Sequence, residues 1–150
     1  MAVGVYTAAV RPSAMLLPYF AFSVSLVATA GSLFFSEVMK LPPCVLCWYQ
    51  RIFMFPLALL LPIAILSHET RMRRYFLPLA TLGFGVATFH VLLYYGVIPE
   101  SIKPCTAGVS CTSRQIEWLG FITIPLLSWV AFLLVGVSLM LHGQKEKVSP

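Results

Sequence analysis

The sequence has 150 residues, of which 59% are hydrophobic and only 10% are charged, with a formal net charge of +5 at pH 7. This composition excludes an ordinary soluble domain, and it predicts a single integral membrane domain. We interpret the positive charge as a signal for membrane insertion, and no nucleic-acid partner is expected.

Four apolar runs have the length of membrane-spanning helices. Each is close to the roughly 20 residues that cross the hydrocarbon core, and each must be helical because an open sheet in lipid leaves its backbone unsatisfied. Short connections favour antiparallel neighbours, so the predicted fold class is an all-α membrane protein, an up-down bundle of four transmembrane helices. The predicted helices and outer loops cover residues 14–35, 48–66, 76–98 and 119–141, and residues 36–47 and 99–118.

The first predicted helix also resembles a signal peptide. Arg11 precedes the apolar run, and Ala28-Thr29-Ala30 resembles a cleavage site. The apolar run continues beyond that site, so we expect the segment to remain as the first helix. Cleavage would leave the orientation of the later helices unchanged.

The distribution of charge predicts the orientation of the bundle. With both termini cytoplasmic, the inner segments hold six basic and two acidic residues, and the outer segments hold four basic and three acidic residues. Basic residues are enriched in cytoplasmic loops, and Arg71, Arg73 and Arg74 in the second connection contribute most of this bias as a topology anchor. All four cysteines then lie outside the membrane, where disulfides form and persist.

The first cysteine pair lies at the predicted start of the second helix. Cys44 and Cys47 are separated by two residues, and Pro42 and Pro43 precede them, as is typical before a helix. The positive end of a helix lowers the pKa of a thiol and favours the thiolate. A disulfide that encloses two residues stabilises a fold little. We therefore predict a redox-active dithiol, with a static disulfide or half of a zinc site as the alternative.

The second pair, Cys105 and Cys111, lies in the longer outer loop and encloses five residues. A structural disulfide that orders the loop is the alternative to a redox role. Zinc ribbons usually have two to four residues between paired ligands, so we expect no metal. An even count of four cysteines allows three pairings, and the spacing alone does not select one.

Two charged or ionisable residues near the first pair are candidates for a role in its redox chemistry. Arg51 follows Cys47 by four residues and shares its helix face, although an arginine that snorkels to the interface is the alternative. His90 is the only histidine inside a predicted span, and such residues are functional candidates. Because helices two and three run in opposite directions, Arg51 and His90 are expected at similar depth beneath the cysteines.

Oxidation of a dithiol needs a two-electron acceptor, and the chain has no flavin or haem motif. A quinone dissolved in the lipid, menaquinone or ubiquinone, is therefore the predicted cofactor. Arg51 is expected to stabilise negative charge on a quinone oxygen or a thiolate. His90 is expected to donate a hydrogen bond to the ring carbonyl or to pass a proton.

Three segments of the chain resemble a known family. They are Cys44-Val45-Leu46-Cys47-Trp48-Tyr49-Gln50-Arg51, the stretch from Lys103-Pro104-Cys105 through Cys111, and Gly120-Phe121-Ile122-Thr123-Ile124-Pro125. In this order, with four apolar spans, they resemble the DsbB family of bacterial membrane disulfide-forming oxidoreductases, and most closely its short BdbC-type members. The resemblance extends from about Ala14 to Leu141.

The resemblance implies a function and a role for each cysteine. It implies a multi-pass protein of the bacterial inner or plasma membrane that re-oxidises a soluble or tethered extracytoplasmic thioredoxin-like thiol oxidase and reduces quinone. Cys47, beside Arg51, would pass electrons to the quinone, and Cys44 would exchange with the Cys105–Cys111 disulfide. Cys105 would be the sulfur that the partner attacks.

Two alternative functions remain at this point. A vitamin K epoxide reductase-like enzyme also joins a four-helix bundle to a cysteine pair and a quinone, but its membrane-proximal pair is expected near the last helices. A non-catalytic membrane scaffold, stabilised by disulfides or zinc, is the alternative from a different class.

Overall fold

Four long helices dominate the structure, a computed structural model. Helix α1 continues without a break into a π-helical segment, Phe34–Val38. The helices are α1 (Pro12–Leu33), α2 (Val45–Leu66), α3 (Met72–Tyr94) and α4 (Ile124–Val148). The structure describes residues 12–67, 69, 71–98, 111, 117–118 and 122–148.

The four helices form a bundle in which each packs against two neighbours. Helices α1 and α3 both contact α2 and α4, whereas the diagonal pair α2 and α4 makes few contacts. All four helices are long and apolar enough to cross a membrane. The predicted all-α membrane fold with four spans is therefore confirmed, and the cytoplasmic location of both termini stays a prediction.

The bundle has an apolar interior and an equally apolar exterior. Leu57, Leu61, Val135 and Leu139 are fully buried between the helices. Many large apolar side chains nevertheless point outward, and Leu66 is 77% exposed. A monomer in water rarely exposes so much apolar surface, whereas lipid covers it without cost.

Helices α2 and α3 begin earlier than the apolar runs predict. Helix α2 starts at Val45 instead of residue 48, because Cys44 has an extended backbone (φ −72°, ψ 170°) and caps the first turn. Helix α3 starts at Met72 instead of residue 76, so Arg73 and Arg74 form part of its first turn. Arg73 and Arg74 extend α3 beyond its apolar run, whereas the start of α2 depends on the Cys44 cap.

Helix α4 begins later than predicted, at Ile124 instead of residue 119. The Thr123 hydroxyl accepts a hydrogen bond from the Leu126 backbone N–H at 3.4 Å, as an N-cap residue does. Two short antiparallel strands, Glu117–Trp118 and Ile122–Thr123, precede the helix and pair with each other. Strand Ile122–Thr123 occupies part of the segment that the apolar run assigned to the helix.

Candidate redox site

The first cysteine pair lies where α2 begins. The Cys47 backbone N–H donates a hydrogen bond to Cys44 Sγ at 3.3 Å, so the Cys44 side chain caps the helix. The two sulfur atoms are 2.8 Å apart, and both cysteines are free thiols in this structure. Cys44 is buried and Cys47 is half-buried. The two sulfur atoms are therefore close enough to form a disulfide with each other on oxidation.

The surroundings of Cys44 favour its thiolate. The hydrogen bond from the Cys47 side chain, assisted by His90, holds the pKa of the Cys44 thiol well below its usual range, although burial opposes this shift. The backbone N–H of Cys47 at the helix N-terminus acts in the same direction. A thiolate is the nucleophile in disulfide exchange, so Cys44 is poised for that reaction.

His90 lies beside Cys44 on helix α3 and is only 1% exposed. Its Nε2 atom is 3.8 Å from Cys44 Sγ and donates a hydrogen bond to the Cys111 carbonyl oxygen at 3.2 Å. On the opposite side of the ring, Gln50 Nε2 donates to His90 Nδ1 at 3.1 Å. His90 therefore contacts residues of both cysteine segments.

The second cysteine segment reaches the first through Cys111. Cys111 is disulfide-bonded and 3% exposed, and it packs in one apolar cluster with Cys44, Leu46 and Leu93. Because Cys44 and Cys47 are both free, neither of them is its partner. Cys105, and with it the predicted Cys105–Cys111 pairing, lies outside the described residues.

A cavity of about 550 Å³ opens next to Cys47, between helices α1, α2 and α4. Its volume is within the range of small-molecule sites. Its walls are mainly apolar, with a few polar groups among them. Those groups include Ser32, Cys47, Gln50, Arg51 and Ser128.

Arg51 lies on the wall of this cavity and is held by helix α1. Its Nε donates to Ser32 Oγ at 2.8 Å, and its Nη2 donates to the Ser32 carbonyl oxygen at 2.8 Å. The guanidinium also lies 5.2 Å from the centre of the Trp48 ring, within the range of a cation–π contact. These contacts fix the charge beside the cavity, where Cys47 also lies.

The structure brings Cys44, Cys47, Arg51 and His90 together but divides them between two sides of α2. Cys47 and Arg51 line the cavity, whereas His90 does not line it and faces Cys44. Ser32, Gln50 and Ser128 are further polar residues of the site that the sequence did not predict. A polar Gln50 within an apolar run was an available signal, since such residues are costly in lipid. Serines are common in membrane helices, so Ser32 and Ser128 gave no comparable signal in the sequence.

Three side chains of the site also form a possible ligand set for a metal ion. The donor atoms of Cys44, Cys47 and His90 lie within 4.8 Å of one another. Two cysteines and one histidine form a known catalytic zinc set, with a fourth position open to solvent or substrate. The expectation that the protein works without a metal stays a prediction.

A four-helix membrane bundle with a reactive dithiol at one helix N-terminus defines a membrane thiol–disulfide oxidoreductase. Residues 13–142 match the family described as "Disulfide bond formation protein DsbB". The chain belongs to this family, which confirms the resemblance and identifies the protein as a disulfide-forming oxidoreductase of bacterial membranes with several spans. Family membership also implies a partner thiol oxidase.

Individual relatives cover most of the chain. Disulfide bond formation protein C of Bacillus subtilis (strain 168) is 45% identical over 130 residues, which are 86% of this chain and 94% of that protein. A probable disulfide formation protein of Deinococcus radiodurans is 46% identical over 139 residues, 87% of this chain and 90% of that protein. One from Metapseudomonas resinovorans is 44% identical over 119 residues, 79% and 83% of the respective chains. No solved structure matches the chain.

Proposed function

We propose that this protein re-oxidises the dithiol of an extracytoplasmic thioredoxin-like thiol oxidase and transfers the electrons to a membrane quinone. The observation that carries the proposal is the apolar cavity at Cys47, with Arg51 held at its wall. A lipid-soluble oxidant reaches such a cavity between the helices without a soluble domain. A bound quinone accepts two electrons and two protons and leaves as the hydroquinone.

Electrons pass from the partner to the second cysteine pair and then to the first in four thiolate attacks, which start with both pairs as disulfides. A thiolate of the partner attacks Cys105, and the Cys105–Cys111 bond breaks. Cys111 then attacks Cys44, and Cys47 leaves as a thiolate. The second partner thiolate closes the partner's disulfide and releases Cys105, which attacks Cys111 and releases Cys44. The packing of Cys111 against Cys44 supports the assignment of Cys111 to the internal exchange.

The last step returns the first pair to its oxidised form. Cys47 gives up its electrons at the cavity, and Cys44 forms the disulfide with Cys47 again. The net reaction consumes one partner dithiol and one quinone, and it produces one partner disulfide and one hydroquinone. Arg51 stabilises negative charge at the cavity wall during this step.

Of the two roles predicted for His90, the geometry favours proton transfer. His90 lies against Cys44 and does not line the cavity, so a hydrogen bond to a quinone carbonyl requires the side chain to move. At 3.8 Å from Cys44 Sγ, the ring is placed to stabilise or protonate that sulfur when it is released.

The direct test uses purified, reduced protein and a soluble quinone analogue. We expect one quinone to be reduced for every two thiols lost, as measured by quinone absorbance and thiol counting. A catalytically inert scaffold, whether stapled by disulfides or by zinc at Cys44, Cys47 and His90, would leave the thiol count unchanged. Metal analysis of the same sample separates the zinc form of that alternative.

The position of the cysteines at the start of α2 also distinguishes the proposed function from that of a vitamin K epoxide reductase-like enzyme. The dithiol beside the cavity opens the second helix, and the last helix contributes only cavity-wall residues such as Ser128. Turnover with a partner dithiol and quinone, without epoxide reduction, is the expected outcome.

The proposed orientation predicts that both cysteine segments are accessible from outside the cell. After reduction of intact cells, a membrane-impermeant maleimide is expected to modify the cysteines, because the excess of positive charge keeps the other face in the cytoplasm. Labelling is measured by the mass shift of the protein. Labelling that occurs only after the membrane is opened would refute this orientation.

The separate roles proposed for the two cysteine pairs predict how the Cys111→Ser variant reacts with the partner and with quinone. In Cys111→Ser the free thiolate of Cys105 can attack the disulfide of the oxidised partner, which releases one partner thiol, and no Cys111 is present to displace the partner from Cys105. We therefore expect this variant to trap the partner as a mixed disulfide on non-reducing gels. Reduction of quinone driven by a small dithiol acts directly on Cys44 and Cys47 and is expected to survive in part. If Cys111→Ser removed that activity as completely as Cys47→Ser, the proposed order of exchange would be wrong.

A further inference from the structure

The side chain of Phe132 on α4 lies between the cavity and helix α3. Phe132 is one of the residues that line the cavity, yet it is only 1% exposed. Among the described residues, α3 contributes no side chain to this lining. The Phe132 ring is therefore packed back among its neighbours and does not project into the cavity, which leaves that space to a ligand.

The room for the Phe132 ring on α3 is provided by Gly83. A Cβ atom at position 83 would lie less than 3.0 Å from three carbon atoms of the ring, Cδ1, Cε1 and Cζ. Non-bonded carbon atoms are most stable at about 3.5 to 4.0 Å and repel each other at shorter distances. Phe132 therefore keeps its position because residue 83 has no side chain. A Cβ atom at Gly85 on the same helix would instead lie in open space.

Two contacts close to Gly83 hold α3 and α4 together. Trp129 Nε1 donates a hydrogen bond to Thr88 Oγ1 at 3.0 Å, and the Trp129 ring is centred 5.2 Å from the Phe84 ring. Trp129 precedes Phe132 by three residues, so the two side chains lie on the same side of α4. Separation of the two helices would disturb these contacts.

A methyl group added at Gly83 is therefore accommodated most easily by movement of the Phe132 ring. Protein interiors are close-packed, so an added group must displace its neighbour towards whatever space is available. The cavity is the space that borders Phe132, and movement of the ring into it breaks no hydrogen bond. The wall of the cavity would then advance towards the ligand.

We propose that Phe132 limits the size of the quinone ring that the cavity admits, and that Gly83 is the positioning residue that holds Phe132 out of the cavity. This inference rests on the proposed function, which assigns the quinone to this cavity. In an apolar pocket, one extra methylene changes discrimination between ligands by about 10- to 200-fold. A ring that advances into the cavity should therefore exclude a large quinone before a small one.

The test measures the affinity of the purified full-length protein, in its fully oxidised form, for two soluble quinones. Menadione has two fused rings, and methylbenzoquinone is the same compound without the second ring. Because the cysteines are disulfides in this form, the quinone binds without being reduced. Binding is followed by quenching of tryptophan fluorescence at one detergent concentration, so partition of quinone into micelles is the same for every variant.

Gly83→Ala is expected to weaken the binding of menadione by about tenfold and that of methylbenzoquinone by less. Gly85→Ala is the matched control on the same helix and should leave both affinities unchanged. The double variant Gly83→Ala/Phe132→Leu gives the new methyl group room, because leucine is smaller than phenylalanine, and should recover the binding of menadione. Phe132→Leu alone should shift the preference of the cavity towards menadione.

A role of Gly83 and Phe132 in packing alone would change thermal stability and leave both affinities of Gly83→Ala equal to those of Gly85→Ala. That result overturns the proposal, as does an equal loss for the two quinones or a failure of the double variant to recover menadione. Should Gly83→Ala fail to fold, Phe132→Leu still decides, because an unchanged preference between the quinones contradicts a size limit at this residue.

The same measurement separates failure of this inference from failure of the proposed function. Unmodified protein that binds neither quinone would refute the proposed function and the size limit together. Unmodified protein that binds both quinones, with Gly83→Ala indistinguishable from Gly85→Ala, would refute the size limit alone.

Discussion

Replacing Cys44 or Cys47 with serine is expected to abolish quinone reduction driven by a dithiol while leaving thermal stability nearly unchanged. A serine hydroxyl neither forms a disulfide nor gives up electrons, so no residual turnover is expected from either variant. The reaction is followed by quinone absorbance with a small dithiol as the donor. Thermal unfolding of the detergent-solubilised proteins is measured in parallel.

The structure explains why the thermal stability of these variants should remain nearly unchanged. The sulfurs of Cys44 and Cys47 enclose two residues, so their disulfide restricts the unfolded chain little. In Cys44→Ser the new hydroxyl replaces Sγ as the acceptor for the Cys47 backbone N–H, and serine is a favoured N-cap residue. Cys44→Ser therefore keeps the start of α2 in place.

Leu46→Ala is the matched reference for destabilisation at this site. Leu46 is 4% exposed and packs in the same cluster as Cys44 and Cys111, so its truncation opens a cavity without removing a cysteine. We expect a clear fall in unfolding temperature for Leu46→Ala and little change for Cys44→Ser. A serine variant that unfolds as early as Leu46→Ala but still reduces quinone would favour a structural staple over a redox pair.

The sequence predicts the fold well because lipid limits the choice of structure. Apolar runs of about 20 residues must be helices, and their number and order follow directly. The ends of the helices depend on other interactions. Helix α2 begins at Val45 because of the Cys44 cap, and α4 begins at Ile124 because Thr123 belongs to a short strand and caps the next turn.

The sequence predicts the residues of the site that carry a distinctive side chain, and these include His90 on another helix, which lies 3.8 Å from Cys44 Sγ. Cys47 and Arg51 share a face of α2 by their spacing, and the structure places both at the cavity. Ser32 and Ser128 come from α1 and α4. Because membrane helices are apolar on all sides, their sequence does not reveal which face meets which neighbour. The contacts of Arg51 with Ser32 and of Gln50 with Ser128 therefore required the packed bundle.

Substitution of Arg51 is expected to weaken quinone turnover strongly while the disulfides still form. If the guanidinium stabilises negative charge on the reduced quinone oxygen or on Cys47, Arg51→Ala loses a charge-assisted hydrogen bond. Such a bond contributes about 1.5 to 3 kcal/mol, which corresponds to a roughly 10- to 150-fold loss in kcat/KM for quinone. Arg51→His is expected to lie in the same range. Steady-state rates against quinone concentration measure the effect, and thiol counting confirms the state of the cysteines.

Arg51→Lys separates this role from that of a snorkelling interfacial charge. The guanidinium donates through two of its nitrogens to the Ser32 hydroxyl and carbonyl, so a third nitrogen remains directed elsewhere. A lysine ammonium is compact and cannot reproduce this planar arrangement, so it should rescue the rate only in part. Ser32→Ala, which removes one of the two acceptors and keeps the charge, should cause a smaller loss than Arg51→Ala. A simple membrane anchor predicts instead that lysine substitutes fully and that Ser32→Ala is silent. An unchanged KM and kcat in Arg51→Ala and Arg51→Lys would falsify the quinone role of Arg51.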